Sequence, residues 1–165
     1  YLIASERYTG KVIIAPHEIS ADKIEKLQSL FQKEVVLWTE LQNNPDLLQG
    51  ARVLIIDVIG LLSSIYRYAD LAVIGGGFGK GVHNVLEAAT FGLPVLLGPH
   101  YHKFEEVKQL IDVGAAASYE DTKQLNAALL DLFKNRAELE IRSKLAKQYV
   151  QDRVGATEKI MGFLI

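Results

Sequence analysis

Apolar runs that alternate with amphipathic stretches constrain the fold of this chain more than any other feature. Residues 12–15 (VIIA), 34–38 (EVVLW), 52–57 (RVLIID), 71–75 (LAVIG) and 94–98 (PVLLG) are nearly continuous in apolar character, and 115–118 (AAAS) is a weaker sixth run. Continuous runs, rather than strict alternation, are what strands covered on both faces need, as in parallel sheets. Between them, Ile24, Leu27, Leu30 and Phe31 recur at helical spacing behind Ser20, a residue suited to an N-cap. Residues 61–68, 84–91 and 104–111 supply further crossovers, and beyond Asp121 the pattern is helical in two or three segments. The alternation predicts an α/β fold, a Rossmann-like doubly wound parallel sheet of about six strands with helices on both faces.

Composition narrows the function classes. A chain of 165 residues fits one domain at roughly 150 residues per domain. With 49% hydrophobic and 23% charged residues it has the make-up of an ordinary globular fold. It has no Cys, which removes disulfides, thiolate metal sites and a Cys nucleophile. Lys plus Arg number 18 against 20 Asp plus Glu, so the basic excess expected of a nucleic-acid binder is missing. No stretch approaches the roughly 18 apolar residues of a membrane span, because residues 53–62 are interrupted by Asp57. The start, YLIASERYTGK, lacks Met and the regions of a signal peptide, and reads as a cut into a longer protein. With no internal linker or repeat, residues 1–165 are expected to be a single domain.

Ligands of such sheets bind beyond the carboxyl ends of the strands. After the fourth run comes Gly75-Gly76-Gly77-Phe78-Gly79-Lys80-Gly81-Val82-His83-Asn84-Val85-Leu86-Glu87. Glycines let a backbone turn tightly and let a ligand approach its amides. A helix starting near His83 or Asn84 would turn its free N–H groups and positive dipole end towards that loop, which suits phosphate or carboxylate. The dipole contributes only about 0.3–2 kcal/mol, so direct hydrogen bonds must do most of the holding. Two common motifs fail here. A Walker A loop would need Gly at Ile74 and Ser or Thr at Gly81, and the dinucleotide pattern G-x-G-x-x-G finds no full match.

Glu87 lies three residues after Asn84 and four after His83, so all three can share one helix face. A carboxylate repels a phosphate but suits a neighbouring ribose diol, which offers two hydroxyl donors. The competing reading is a cap, with Asn84 at N-cap and Glu87 at the third helical position. Asp57 ends a strand and could bind ribose, but capping of the following loop or helix is the preferred reading. Tyr66 and Tyr68 could stack on a base, but packing suits them better. His100 and His102 have a chelating spacing without a Cys nearby, and a loop closing over a ligand explains His100 better than a metal.

The stretch G-V-H-N-V-L-E-A-A-T-F-G-L-P-V-L-L-G-P-H resembles the donor-binding domain of GT-B glycosyltransferases, and within these the bacterial 3-deoxy-D-manno-octulosonic acid (Kdo) transferases. A-P-H-E (15–18), I-G-L-L (59–62) and Y-R-Y-A-D-L-A-V-I-G-G (66–76) resemble family segments in the same order. The chain departs from the pattern at three places: no Arg precedes His17, Val85 replaces Pro, and Lys103 replaces Asn.

The resemblance implies the C-terminal, donor-binding half of an enzyme that moves Kdo from CMP-Kdo to a lipid A precursor, with no cofactor and no metal. The N-terminal acceptor domain, with the general base, would be absent from this chain, so the isolated chain is expected to be inactive. Gly76, Gly77, Gly79, Lys80, Gly81 and Asn84 would then face the CMP phosphate, with His83 on the same helix face, and Glu87 would face the ribose. Gly60 would lie near the cytosine, His17 near the phosphate or the Kdo carboxylate, and His100 in a closing loop. Membrane contact, at the cytoplasmic face of the bacterial inner membrane, would come only through the missing half, leaving this chain soluble. Two alternatives are a GT-B donor domain for a UDP-sugar, including the related epimerase, and a non-catalytic nucleotide-binding module.

Overall fold

The computed structural model describes residues 10–31, 34–75, 82, 84–155 and 160–162. The chain divides into two compact units, Tyr1–Ser64 and Ile65–Ile165. All six expected strands form, each three residues long and all parallel, and they group into two sheets of three.

In the first unit β1 (Val12–Ile14) is followed by α1 (Ala21–Phe31), β2 (Val35–Leu37), α2 (Trp38–Asn43), α3 (Leu47–Gly50) and β3 (Val53–Ile55). The sheet order is β1-β3-β2, with Val12 and Val35 both opposite Val53. Ser20 stands where an N-cap should, its carbonyl accepting the Ile24 N–H at 3.0 Å. Ile24 then packs on Val53 and Ile55, flanked by Leu27 and Phe31. The expected run to Trp38 ends one residue early, because Trp38 opens α2; there the Glu40 carboxylate accepts the Leu37 N–H at 2.9 Å. The short α4 (Leu62–Ile65) crosses the boundary between the units.

The second unit opens with a 3-10 turn at Tyr66–Tyr68, so the single crossover expected over 61–68 is α4 plus this turn. Then come β4 (Ala72–Ile74), α5 (Val85–Thr90), β5 (Val95–Leu97), α6 (Glu105–Asp112), β6 (Ala116–Ser118), α7 (Thr122–Lys134) and α8 (Arg136–Gln151). The sheet order is β4-β5-β6. Asp121 caps α7, accepting the Gln124 N–H at 2.7 Å, and Asn135 caps α8 in the same way at 3.2 Å.

The central strand β5 has no exposed face. Val95 and Leu97 enter a core built from Val85, Ala88 and Ala89 of α5, Val107 and Leu110 of α6, and Ala146 and Tyr149 of α8. Leu96 points the other way, into Leu132 of α7 and Leu139 of α8. Helices therefore cover both faces of this sheet, which is why its strand reads as an unbroken apolar run. Each such buried Leu or Val contributes about 1.5–3 kcal/mol.

Candidate functional site

The N-terminus of α5 is built by Asn84. Its backbone leaves helical geometry (φ −54°, ψ 105°) and its Oδ1 accepts the Leu86 N–H at 3.0 Å. Its Nδ2 donates to Glu87 Oε1 at 3.3 Å. The capping arrangement is thus present, and the side chain that caps also touches the carboxylate. Asn84 is exposed and Glu87 half-buried. Val82 is buried in the same core as Val85. Gly76, Gly77, Gly79, Lys80, Gly81 and His83 lie outside the described residues.

Tyr66 flanks the same helix face. It is buried, and its ring centroid lies 6.2 Å from that of Phe91, the residue that ends α5 one turn after Glu87. Burial, and after it the Glu87 charge, push the Tyr66 phenol above its ordinary pKa. Tyr66 packs as expected, but its nearness to Glu87 is not readable from sequence, since the two are joined only through the fold. Tyr68, by contrast, is 77% exposed.

Parallel pairing brings other candidates to the same ends of their sheets. In the second unit Ile74 lies opposite Leu97, so Gly75 and the 98–102 loop leave the sheet side by side. That loop is held at its root, where Ser118 Oγ donates to the Gly98 carbonyl at 3.1 Å and Tyr119 N–H to the Leu97 carbonyl at 3.0 Å. His100 is exposed there, and the ring of His102 packs 4.5 Å from that of Tyr101. Among the described residues no group of three or more His, Asp or Glu could hold a metal ion.

In the first unit Ile14 lies opposite Ile55, and the two chain segments beyond them carry His17 and Gly60. Both residues are exposed. Gly60 has φ +91° and follows Ile59, which is 92% exposed, so the turn presents its backbone outward. Glu18, next to His17, pairs with Lys23, whose hydrogen bond and charge hold its carboxyl below the usual range. Asp57 is a cap, but of a different element from the one that follows it: Oδ1 accepts the Thr39 N–H at 3.1 Å and Oδ2 the Thr39 hydroxyl, closing the first turn of α2. An open depression of about 510 Å³ at the start of α1, lined by Ser20, Glu25, Gln28 and Asp57 among others, had no signal in the sequence.

The chain is 28% identical to a 3-deoxy-D-manno-octulosonic acid transferase of Aquifex aeolicus over 137 residues, which is 81% of this chain and 36% of that protein. It is 32% identical to the 3-deoxy-D-manno-octulosonic acid transferase of Bordetella pertussis over 114 residues, 68% of this chain and 27% of the relative. The chain is homologous to the Kdo transferases. It spans about a third or less of the length of these curated relatives. No protein-family model matches it. Among solved structures, the C-terminal CMP-Kdo binding domain of WaaA from Acinetobacter baumannii superposes with a TM-score of 0.72 at 21% identity, covering 84% of this chain and 72% of that one. The fold is therefore that of the C-terminal half of a GT-B protein, as the motifs of this Kdo transferase homologue implied.

Proposed function

We propose that residues 1–165 are the donor-nucleotide domain of a Kdo transferase and bind CMP-Kdo. The observation that carries this reading is the Asn84-capped start of α5, with a half-buried Glu87 one turn in, within a chain homologous to Kdo transferases. Asn84 and the glycine-rich residues Gly76 to Gly81, with Lys80, face the CMP phosphate, and Glu87 accepts from the ribose hydroxyls. His100, in the loop that follows β5, is a further donor contact of the same unit, and by the family resemblance Gly60 and His17 are candidates for the cytosine and for the phosphate or Kdo carboxylate. The domain's share of the chemistry is electrostatic: donors already in place stabilise the charge that gathers on the departing CMP. The general base, the lipid A precursor site and the membrane contact belong to the N-terminal domain of a longer protein at the cytoplasmic face of the bacterial inner membrane. No described helix is long and apolar enough to cross a membrane.

Calorimetric titration with CMP, UMP and UDP tests the reading. CMP binds saturably, and Glu87→Ala weakens it by about tenfold or more, the loss expected for hydrogen bonds to a charged group. Preference for the uracil nucleotides would move the chain to a UDP-sugar branch, because cytosine and uracil present opposite donor and acceptor groups at position four. The chain alone transfers no Kdo; measurable transfer would overturn the domain assignment.

A further inference from the structure

The segment between β3 and α4 is held at its two ends and bare in between. At one end the Ile56 N–H donates to the Ile14 carbonyl at 2.9 Å, and at the other the Ser64 N–H donates to the Leu61 carbonyl at 3.0 Å. Among the described residues, no backbone group of residues 58–60 takes part in a hydrogen bond. Ile59 is 92% exposed, and Gly60 has φ +91° with open space where a Cβ would stand. The glycine therefore answers to the shape of the turn and not to a close neighbour. The side-chain anchor of this segment is Asp57, whose two carboxylate oxygens accept from Thr39, Oδ1 from its N–H at 3.1 Å and Oδ2 from its hydroxyl. Both residues are half-buried. Leu37 pairs with Ile55 across the sheet, so Thr39 and Asp57 meet two residues past matched positions.

A turn without hydrogen bonds of its own must be ordered by whatever binds it, unless an anchor beside it has removed that freedom in advance. We propose that Thr39, acting through Asp57, is a positioning residue for the 58–60 turn: the two-point clamp holds the peptide groups of that turn in one orientation, and so lets them tell one pyrimidine edge from another. The pyrimidine follows from the donor-domain reading; the ordering of the turn does not depend on it. A carbonyl held towards the base accepts from the amino group of cytosine and opposes the carbonyl that uracil has in its place. A loose turn can rotate a peptide plane and offer an N–H instead, so loss of the clamp costs discrimination more than it costs binding. A pair of hydrogen bonds that served only to start α2 would leave the turn as ordered without them as with them.

Thr39→Val removes the hydroxyl and keeps the shape and the N–H, whereas Thr39→Ser restores the hydroxyl. Backbone amide relaxation, measured by NMR on the 165-residue chain without ligand, is expected to show residues 58–60 as ordered as their neighbours in the wild type and in Thr39→Ser. In Thr39→Val their order parameters are expected to fall. Asp57→Asn, with one oxygen left to accept, is expected to loosen the same three residues. Calorimetry with CMP and UMP is expected to show the ratio of the two affinities falling about fivefold in Thr39→Val, on the scale of one hydrogen bond, and returning in Thr39→Ser. Unaltered order parameters at 58–60 in Thr39→Val overturn the proposal, and so does an unaltered affinity ratio in a chain that prefers CMP. A wild type that binds neither nucleotide, or both alike, counts against the donor reading alone, since the relaxation data still decide whether Thr39 orders the turn.

Discussion

Asn84 has two jobs that one side chain does at once. Its oxygen caps α5 and its nitrogen holds Glu87, so the capping and ligand-binding readings are not rivals at this position. Substitutions separate them. Asn84→Ala removes the cap and should lower stability by about 1 kcal/mol, read as a fall in thermal midpoint. Asn84→Asp keeps an oxygen for the Leu86 N–H but puts a negative charge beside Glu87 and, on the proposed donor reading, beside the CMP phosphate. It should fold nearly as well as the wild type and bind CMP markedly more weakly. Tyr66 carries a pH consequence. Its folded pKa is raised, so the unfolded chain ionises this phenol first, and stability falls as pH rises above the ordinary tyrosine value. Urea titrations across that range should show a smaller alkaline loss in Tyr66→Phe.

The return from α5 into β5 is an element-scale joint. Gly92 adopts φ +73°, and a Cβ there would sit 3.5 Å from both the Ser143 carbonyl and the Lys147 Cβ of α8. Ser143 Oγ also donates to the Gly92 carbonyl at 2.6 Å. Gly92→Ala should therefore cost about 1 kcal/mol or more through backbone strain, and Ser143→Ala about 1 kcal/mol, both measured by denaturant unfolding. Element existence was legible because continuous apolar runs and helical spacing are local signals: residues 84–91 and 104–111 emerge as α5, capped by the Asn84 side chain, and α6. What failed was non-local. Trp38 is as good a strand residue as Val36, and only its neighbours made it helical; the Glu40 contact to Leu37 begins α2 instead. Asp57 was legible as a cap, but its target, Thr39, follows the adjacent strand, and strand adjacency is a property of the folded sheet.

At the scale of the molecule, motif order carried the family and the fold, whereas the grouping of strands into two sheets left no mark in a pattern that is uniformly parallel. The candidate residues split accordingly, with His17 and Gly60 at the strand ends of one unit and Asn84, Glu87 and His100 in the other. The double burial of β5 has a further consequence. A strand with one wet face is locked in register because a slip of one residue would turn its oily side to water. In Val95-Leu96-Leu97 such a slip trades one apolar side chain for another, so hydrophobicity cannot choose the alignment. The choice falls to the ends: Ala72 N–H on the Pro94 carbonyl, Tyr119 N–H on the Leu97 carbonyl, and the left-handed turn at Gly92. The reach of the 98–102 loop is thus set by chain length on either side of the strand. Adding or deleting one residue there would re-aim His100 while leaving every core side chain with an apolar neighbour.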